Sequence, residues 1–308
     1  MERMEKKVHQ IVVKDEDGGK RIDRFLAERF ADDYSRAFIQ KMVRGGSVCV
    51  NGDPARNSYR LEAGDAVEMT VSEEAKRTVA PEEIPLDIVH EDGQILVVNK
   101  PAGLVVHPAP GNYSGTLVNA ALAHCGGLAQ GAGSARAGIV HRLDKGTSGL
   151  IVIAKTDKAH RSLGKQFKNK TVKKIYVALV KGIVQYDNGI IDAPIGRCPL
   201  DRRKMSVDSA HVKDAYTTYT VLKRYKDFTA LEIRLTTGRT HQIRVHMAHI
   251  GYPIAGDITY GGQSSAIERP ALHAKSIGFT HPGTGTYVEF TTGLPEDMQA
   301  ILRKGYLH

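Results

Sequence analysis

The run LIVIA, residues 150–154, is apolar at every position, so a strand formed there has no wet face and belongs in the centre of a sheet covered on both sides. Directly before it lies GIVHRLDKGTSG, residues 138–149, in which a single carboxylate, Asp144, has Arg142 two positions ahead and Lys145 directly behind. A loop that enters a central strand has a rigid base. Two readings of Asp144 follow: a surface ion-pair partner, or the reactive group of an enzyme. On spacing alone the ion pair is the commoner arrangement.

The surrounding pattern predicts strands interspersed with a few helices. In residues 85–108 two short apolar runs flank an Asp-Gly turn. After LIVIA, Asp157 is placed to cap a helix whose stripe is Ala159, Leu163 and Phe167, with Arg161 and the lysines outward. TVKKIYVALVKG reads as a strand that puts Ile175, Val177 and Leu179 on one side, hence Tyr176 on the other. Residues 227–253 read as a strand, a turn at Gly238, and a helix capped by Thr240, buried through Ile243, Met247 and Ile250, and stopped by Gly251 and Pro253. Strands without strict strand-helix alternation imply an α+β domain with a mixed or antiparallel sheet.

The N-terminal quarter has a different grammar. Residues 1–17 are expected to be a flexible lead, 18–71 a compact module, 72–84 a polar linker, and 85–308 the larger domain. Within the module, RIDRFLAERFADD and YSRAFIQKMVRGG have helical apolar spacing, the second with Ser35 as its cap and Gly45-Gly46 as its end; the strands SVCVNG and AVEMTV follow. This arrangement brings Arg21, Arg24, Arg36, Lys41 and Arg44 near one another.

Charge narrows the partner. The chain carries +9 overall, but residues 135–182 alone hold twelve basic residues against two acidic ones, Asp144 and Asp157. Charge concentrated this way suits a polyanion, since each neutralised phosphate releases a condensed counterion. No apolar run is long enough to span a membrane, and MERMEKKVHQ lacks a signal peptide's apolar centre, so the protein is expected to be soluble and cytoplasmic. Cys49, Cys125 and Cys198 are too scattered for a disulfide framework or a thiolate zinc site.

Several chemistries fail on spacing. His241, His246 and His249 do not share one helical face, and H-E-x-x-H is missing from the sequence, which argues against a metal centre. No cysteine stands in the setting a thiol nucleophile needs. No second carboxylate is apparent in sequence beside Asp144, as glycoside hydrolysis would require. The Gly-rich residues 126–138 lack G-K-[ST], and G-T-S-G is not a nucleophile elbow. What remains is a lone carboxylate among cations, which in a poorly hydrated site is a competent nucleophile toward an electron-poor carbon or a glycosidic centre.

RIDRFLA, YSRAFIQKMVRGGSVCVNG and LEAGDAVEM resemble the S4 RNA-binding domain. HRLDKGTSGLIVIAKT, KKIYVALVKG and LTTGRTHQIRVHMAHIGYPIAGDITYGG resemble, in order and spacing, the three signature segments of the RluA family of pseudouridine synthases; VNKPAGLVVHP, RPALHA and LPEDM also fit. The S4-containing large-subunit subgroup is the nearest in pattern. The resemblance implies an α+β protein, an S4-type module joined to a catalytic domain built on the mixed, mostly antiparallel bent sheet flanked by helices of the pseudouridine synthase fold. It implies an isomerase of uridines in RNA, most naturally 23S ribosomal RNA, with no cofactor and no metal; a monomer is expected. It also assigns Asp144 as nucleophile, Tyr176 as the residue that packs on the uracil and helps remove its C5 proton, Arg244 as the cation beside Asp144, and Arg142 as the side chain that fills the helix when the target base leaves. RNA-binding roles fall to Arg21, Arg24, Arg36, Lys41 and Arg44. A non-catalytic RNA-binding factor with the same fold is the alternative.

Overall fold

In the computed structural model of the protein, residues 6–30, 34, 36–72, 79–109, 111–129, 136–201 and 204–307 are described. The chain divides into two compact units, one of residues 1–79 with 132–137 and the other of residues 80–131 with 138–308. The first holds β1 (Lys6–Val12), α1 (Ile22–Arg29), α2 (Arg36–Arg44), β2 (Val48–Val50), β3 (Asp53–Pro54) and β4 (Ala66–Ser72), with sheet order β1-β4-β2-β3. Residues 6–12 are therefore a strand and not a flexible lead: Lys6 pairs with Ser72 and Val12 with Ala66 along the whole length of β4. Polar residues interrupt the apolar ones there, which hides the strand in the sequence. Ile22, Phe25 and Leu26 from α1, Ile39 and Val43 from α2, and Val48, Val67 and Met69 from the sheet close one core. Ser35, expected to cap α2, lies outside the described residues, as do residues 73–78 of the expected linker.

The second unit begins with β5 (Ile88–Glu91), β6 (Ile95–Lys100), α3 (Leu117–Cys125), β7 (Ser148–Ala154), α4 (Asp157–Lys168), β8 (Lys173–Lys181) and β9 (Asn188–Asp192). A small three-stranded sheet follows, β10 (Ile195–Arg197), β11 (Met205–Ser206) and β12 (Val212–Lys213), and then β13 (Tyr216–Arg224), β14 (Phe228–Leu235) and α5 (Gln242–His249). β15 (Leu272–Thr280), β16 (Tyr287–Thr291) and α6 (Glu296–Lys304) complete it. The main sheet runs β5-β6-β7-β15-β8-β14-β13-β9, with β16 on β15. Only β7 and β15 are parallel, so the sheet is mixed and mostly antiparallel.

β7 is buried along its whole length, as the unbroken apolar run requires. Each large side chain of LIVIA contributes about 1.5–3 kcal/mol of burial. Ala159 and Leu163 of α4 pack on one side of it with Phe279. The helix is capped by Thr156, whose Oγ1 accepts from the Ala159 amide, and not by Asp157, which sits in the first turn where its charge complements the helix dipole.

Gly149 fixes how β7 begins. Its φ is +110°, and a Cβ there would lie 2.3 Å from the Ala274 carbonyl oxygen, because β7 and β15 meet at the pairs His273–Ser148 and Ala274–Gly149. Ala274 also pairs with Tyr176 on its other side. One β15 residue thus sets the end of the Asp144 loop against Tyr176. Gly149→Ala is expected to cost about 2–5 kcal/mol from strain and overpacking, read as a lowered urea midpoint at unchanged slope. No described helix is long and apolar enough to cross a membrane.

Candidate active site

Asp144 lies on the loop before β7, its side chain 21% exposed, between buried Leu143 and buried Thr147. The loop is pinned from several sides. The Thr147 amide donates to the Asp144 carbonyl at 3.0 Å, and the Lys145 carbonyl accepts from the Gly103 amide at 2.8 Å. His141 ties the loop to the strand it precedes, since Nε2 accepts from the Val152 amide at 3.0 Å while the ring stacks on Phe167. Burial, with Lys174 adding to it, pulls His141 down to about 3, so the imidazole is neutral and free to accept that bond.

Lys100, fully buried at the end of β6, is a second brace. Its ammonium donates to the carbonyls of Pro101 at 2.7 Å, Leu104 at 2.9 Å and, more weakly, Lys145 at 3.4 Å. Burial lowers its pKa to about 8, a shift that the nearby Asp144 charge partly offsets.

The cation expected beside Asp144 is there. Arg244, on α5 and nearly buried, sends Nη1–H to Asp144 Oδ2 at 3.3 Å across 100 residues of sequence. Its stronger partner, however, is Asp257: Nε reaches Oδ2 at 2.6 Å and Nη2 reaches Oδ1 at 2.8 Å, a two-pronged ion pair with a carboxylate that is 1% exposed. Burial works against the guanidinium charge, but the bonds and charges of Asp257 and Asp144 outweigh it and raise the Arg244 pKa. Asp257 is the residue that sequence reasoning missed. It stands in GDITYGG, a stretch matched to the family without a role for its acid.

α5 presents Arg244 because its start is locked. The expected Thr240 cap does not form; His241 is the N-cap residue, in a left-handed conformation with φ 56°, and makes no side-chain cap. Gln242 does the equivalent work: Oε1 accepts from the Arg239 amide and from Thr237 Oγ1, while Nε2 donates to the Tyr216 carbonyl and Thr217 Oγ1. The helix is buried from Gln242 through Met247 and not along one stripe alone. His246 is turned away from the site, between Thr217 Oγ1 and the Ala193 carbonyl, each 2.8–2.9 Å away. Among the described residues no three His, Cys, Asp or Glu side chains converge as metal ligands.

These groups surround a slot of about 90 Å³ lined by Arg142, Asp144, Tyr176, Arg239, His241 and Arg244, among others. Tyr176 forms one wall. Burial, with the Asp144 charge adding to it, pushes its hydroxyl pKa well up, so the phenol is protonated at neutral pH. Arg142 also lines the slot and is exposed. An anchored carboxylate, a neutral aromatic wall and cations at the rim suit a flat, polar ring delivered on an anionic chain.

Residues 94–249 match the model of the RNA pseudouridylate synthase family. The chain belongs to that family. Residues 20–67 of the synthase match the S4 domain. The synthase is 50% identical over 293 residues to a Bacillus subtilis (strain 168) protein named as the uncharacterized RNA pseudouridine synthase YlyB, covering 95% of this chain and 96% of that one. It is 42% identical over 315 residues to the ribosomal large subunit pseudouridine synthase D of Xanthomonas campestris pv. campestris, covering 98% and 93%. Among solved structures, the human RNA pseudouridylate synthase domain containing 1 aligns with TM-score 0.58 at 28% identity, over 69% of this chain and 84% of that one.

In the synthase's S4 unit, the basic residues are arranged less freely than their number implies. Asp23 is fully buried and accepts from Arg21 Nε at 3.0 Å, Arg36 Nη2 at 3.1 Å and Gln40 Nε2 at 2.7 Å. Arg24 pairs with Glu28 at 2.8 Å, and Arg44 donates to the Gln40 carbonyl. Both Arg21 and Arg36 remain about half exposed, so Asp23 aims them and does not remove them from solvent. The side chain of Lys41 lies outside the described residues.

Two outcomes follow for the synthase. Burial raises the Asp23 pKa, but its bonds to Gln40, Arg21 and Arg36 outweigh this and lower it from 3.8 to about 2. The stabilisation is therefore complete above the unfolded value and is lost as pH falls from about 4 toward 2, which urea denaturation of the S4 unit's signals at stepped pH will show. Asp257→Ala leaves Arg244 buried without its main partner and is expected to cost about 3–5 kcal/mol, measured by the same denaturation at neutral pH.

Proposed function

We propose that the synthase isomerises specific uridines of large-subunit ribosomal RNA, with Asp144 as the reacting carboxylate. The observation that carries this is the shared Arg244, which holds Asp144 at the slot while Asp257 holds Arg244. The substrate class is supported by several relatives that bear the name ribosomal large subunit pseudouridine synthase D.

In the reaction, the C1'–N1 bond breaks, the uracil turns, and a C1'–C5 bond forms; C5 loses a proton and N1 gains one. The net change is an isomerisation, without oxidation or hydrolysis, so the bookkeeping calls for neither cofactor nor metal. Asp144 begins it by attack or by proton removal; addition to C6, attack at C1' and a glycal route are each consistent with one carboxylate at the slot. Arg244 supplies the opposite charge that a desolvated carboxylate needs. Tyr176 packs on the base. Because its hydroxyl is protonated, it takes up the C5 proton only if it passes its own onward.

The uridine must leave its stack at a cost of a few kcal/mol, which Arg142 offsets by filling the gap. Phosphate contacts come from two sets of cations. One is the exposed face of α4, with Lys158, Arg161, Lys165 and Lys168. The other is the S4 set of Arg21, Arg24, Arg36, Lys41 and Arg44. Lys155 and Lys173 contribute less, since Glu91 and Glu289 already pair with them at 2.6 and 2.9 Å. A monomer acting in the cytoplasm completes the reading.

Carbodiimide-adduct mapping of ribosomal RNA from cells lacking the protein tests it directly. One or more stops present in the parent strain should vanish, and loss should be confined to 23S RNA. Unchanged stops at every uridine would leave only the non-catalytic RNA-binding alternative.

A further inference from the structure

His241 is one of three described residues other than glycine with positive φ; the others, Asn51 and Lys170, lie in turns and do not line the slot. Non-glycine residues in this region are strained, and such strain is kept where the surroundings over-determine it. Here the surroundings are polar. The Met205 amide donates to the Tyr260 hydroxyl oxygen at 2.9 Å, and that hydroxyl lies 2.9 Å from His241 Nδ1. With one oxygen lone pair taken by Met205, the hydroxyl proton has Nδ1 as its acceptor among the described residues. The proton of neutral His241 then sits on Nε2, and Nε2 faces Asp144 Oδ2 at 3.8 Å. Arg244 Nη1 addresses the same oxygen at 3.3 Å, and Oδ1 has no hydrogen-bond partner among the described residues. Burial lowers the His241 pKa despite the Asp144 charge, which keeps the ring in this neutral form.

We propose that His241 positions Asp144: its Nε2–H and an Arg244 Nη1–H together hold Oδ2, leaving Oδ1 as the oxygen that meets the uridine. At 3.8 Å the contact is longer than a hydrogen bond, and this role requires it to shorten as the uridine binds, as catalytic hydrogen bonds commonly do. Met205 and Tyr260 act at one remove by fixing which ring nitrogen carries the proton. This rests on Asp144 being the reacting carboxylate.

The test is His241→Gly, a residue at ease with φ near +56°. The variant should melt cooperatively and bind RNA within about threefold of wild type, while single-turnover conversion of bound RNA slows roughly 10- to 100-fold. Added imidazole should restore the rate. Added 1-methylimidazole should not, because it accepts from Tyr260 but has no N–H for Asp144. Tyr260→Phe, which keeps the ring over Arg244, should slow conversion in the same direction by less. A wild-type rate in His241→Gly, equal rescue by both imidazoles, or a defect wholly explained by weaker RNA binding would each overturn the proposal. Should the glycine variant fail to fold, His241→Asn, which also tolerates left-handed backbone, decides by the same bound-state rate. Asp144→Asn run alongside separates the two claims. Conversion by that variant removes the reading of Asp144 itself, whereas an inactive Asp144→Asn with a wild-type His241→Gly removes only the inference about His241.

Discussion

The site depends on one guanidinium shared unequally between two carboxylates. Asp257 takes two of the Arg244 N–H groups in a short, dry, parallel pair, and Asp144 takes a longer bond to a third. Lysine could not do this, since the fixed fork is what lets one side chain be anchored by one acid and still point a donor at another. The inequality suits the chemistry. A carboxylate bound as tightly as Asp257 would be held in place but poorly nucleophilic, whereas one held at the edge of the fork keeps an oxygen to spare. The rest of the domain supplies the geometry: β7 carries the Asp144 loop, β15 sets Tyr176 beside it, and Gln242 locks the helix that carries Arg244.

The features legible in sequence were those written as strong local pattern. LIVIA could only be a central strand, the Ala159, Leu163 and Phe167 spacing could only be one helical stripe, and alternation put Tyr176 opposite Ile175 and Val177. Features set by long-range partners were not legible. Nothing local distinguishes Asp257 from other loop acids, because its meaning comes from a guanidinium 13 residues earlier that must also reach a loop 100 residues earlier still. Thr240 looked like the cap of α5, but the chain spends a left-handed residue there so that His241 can face the slot. β1 escaped notice because its apolar residues are sparse; its partner strand, not its own pattern, makes it a strand.

Electrostatics divide along the same line. Counting charges in sequence marked a basic segment, yet the fold spends part of that charge internally: Lys174 is pulled down to about 8 by burial, while Lys155 and Lys173 are paired with acids. What is left outward on α4, and on the Asp23-aimed arginines of the S4 domain, is a set of cations held at defined places. Under the proposed function such charges would position an RNA backbone, and the slot would select what is turned into it.

Asp144 is the proposed reacting group and Arg244 its support. Single-turnover pseudouridine formation by Asp144→Asn on a ribosomal RNA stem-loop, with affinity measured on the same RNA, tests this most directly. Binding close to that of wild type with no detectable product is the predicted result; conversion at a wild-type rate would contradict it.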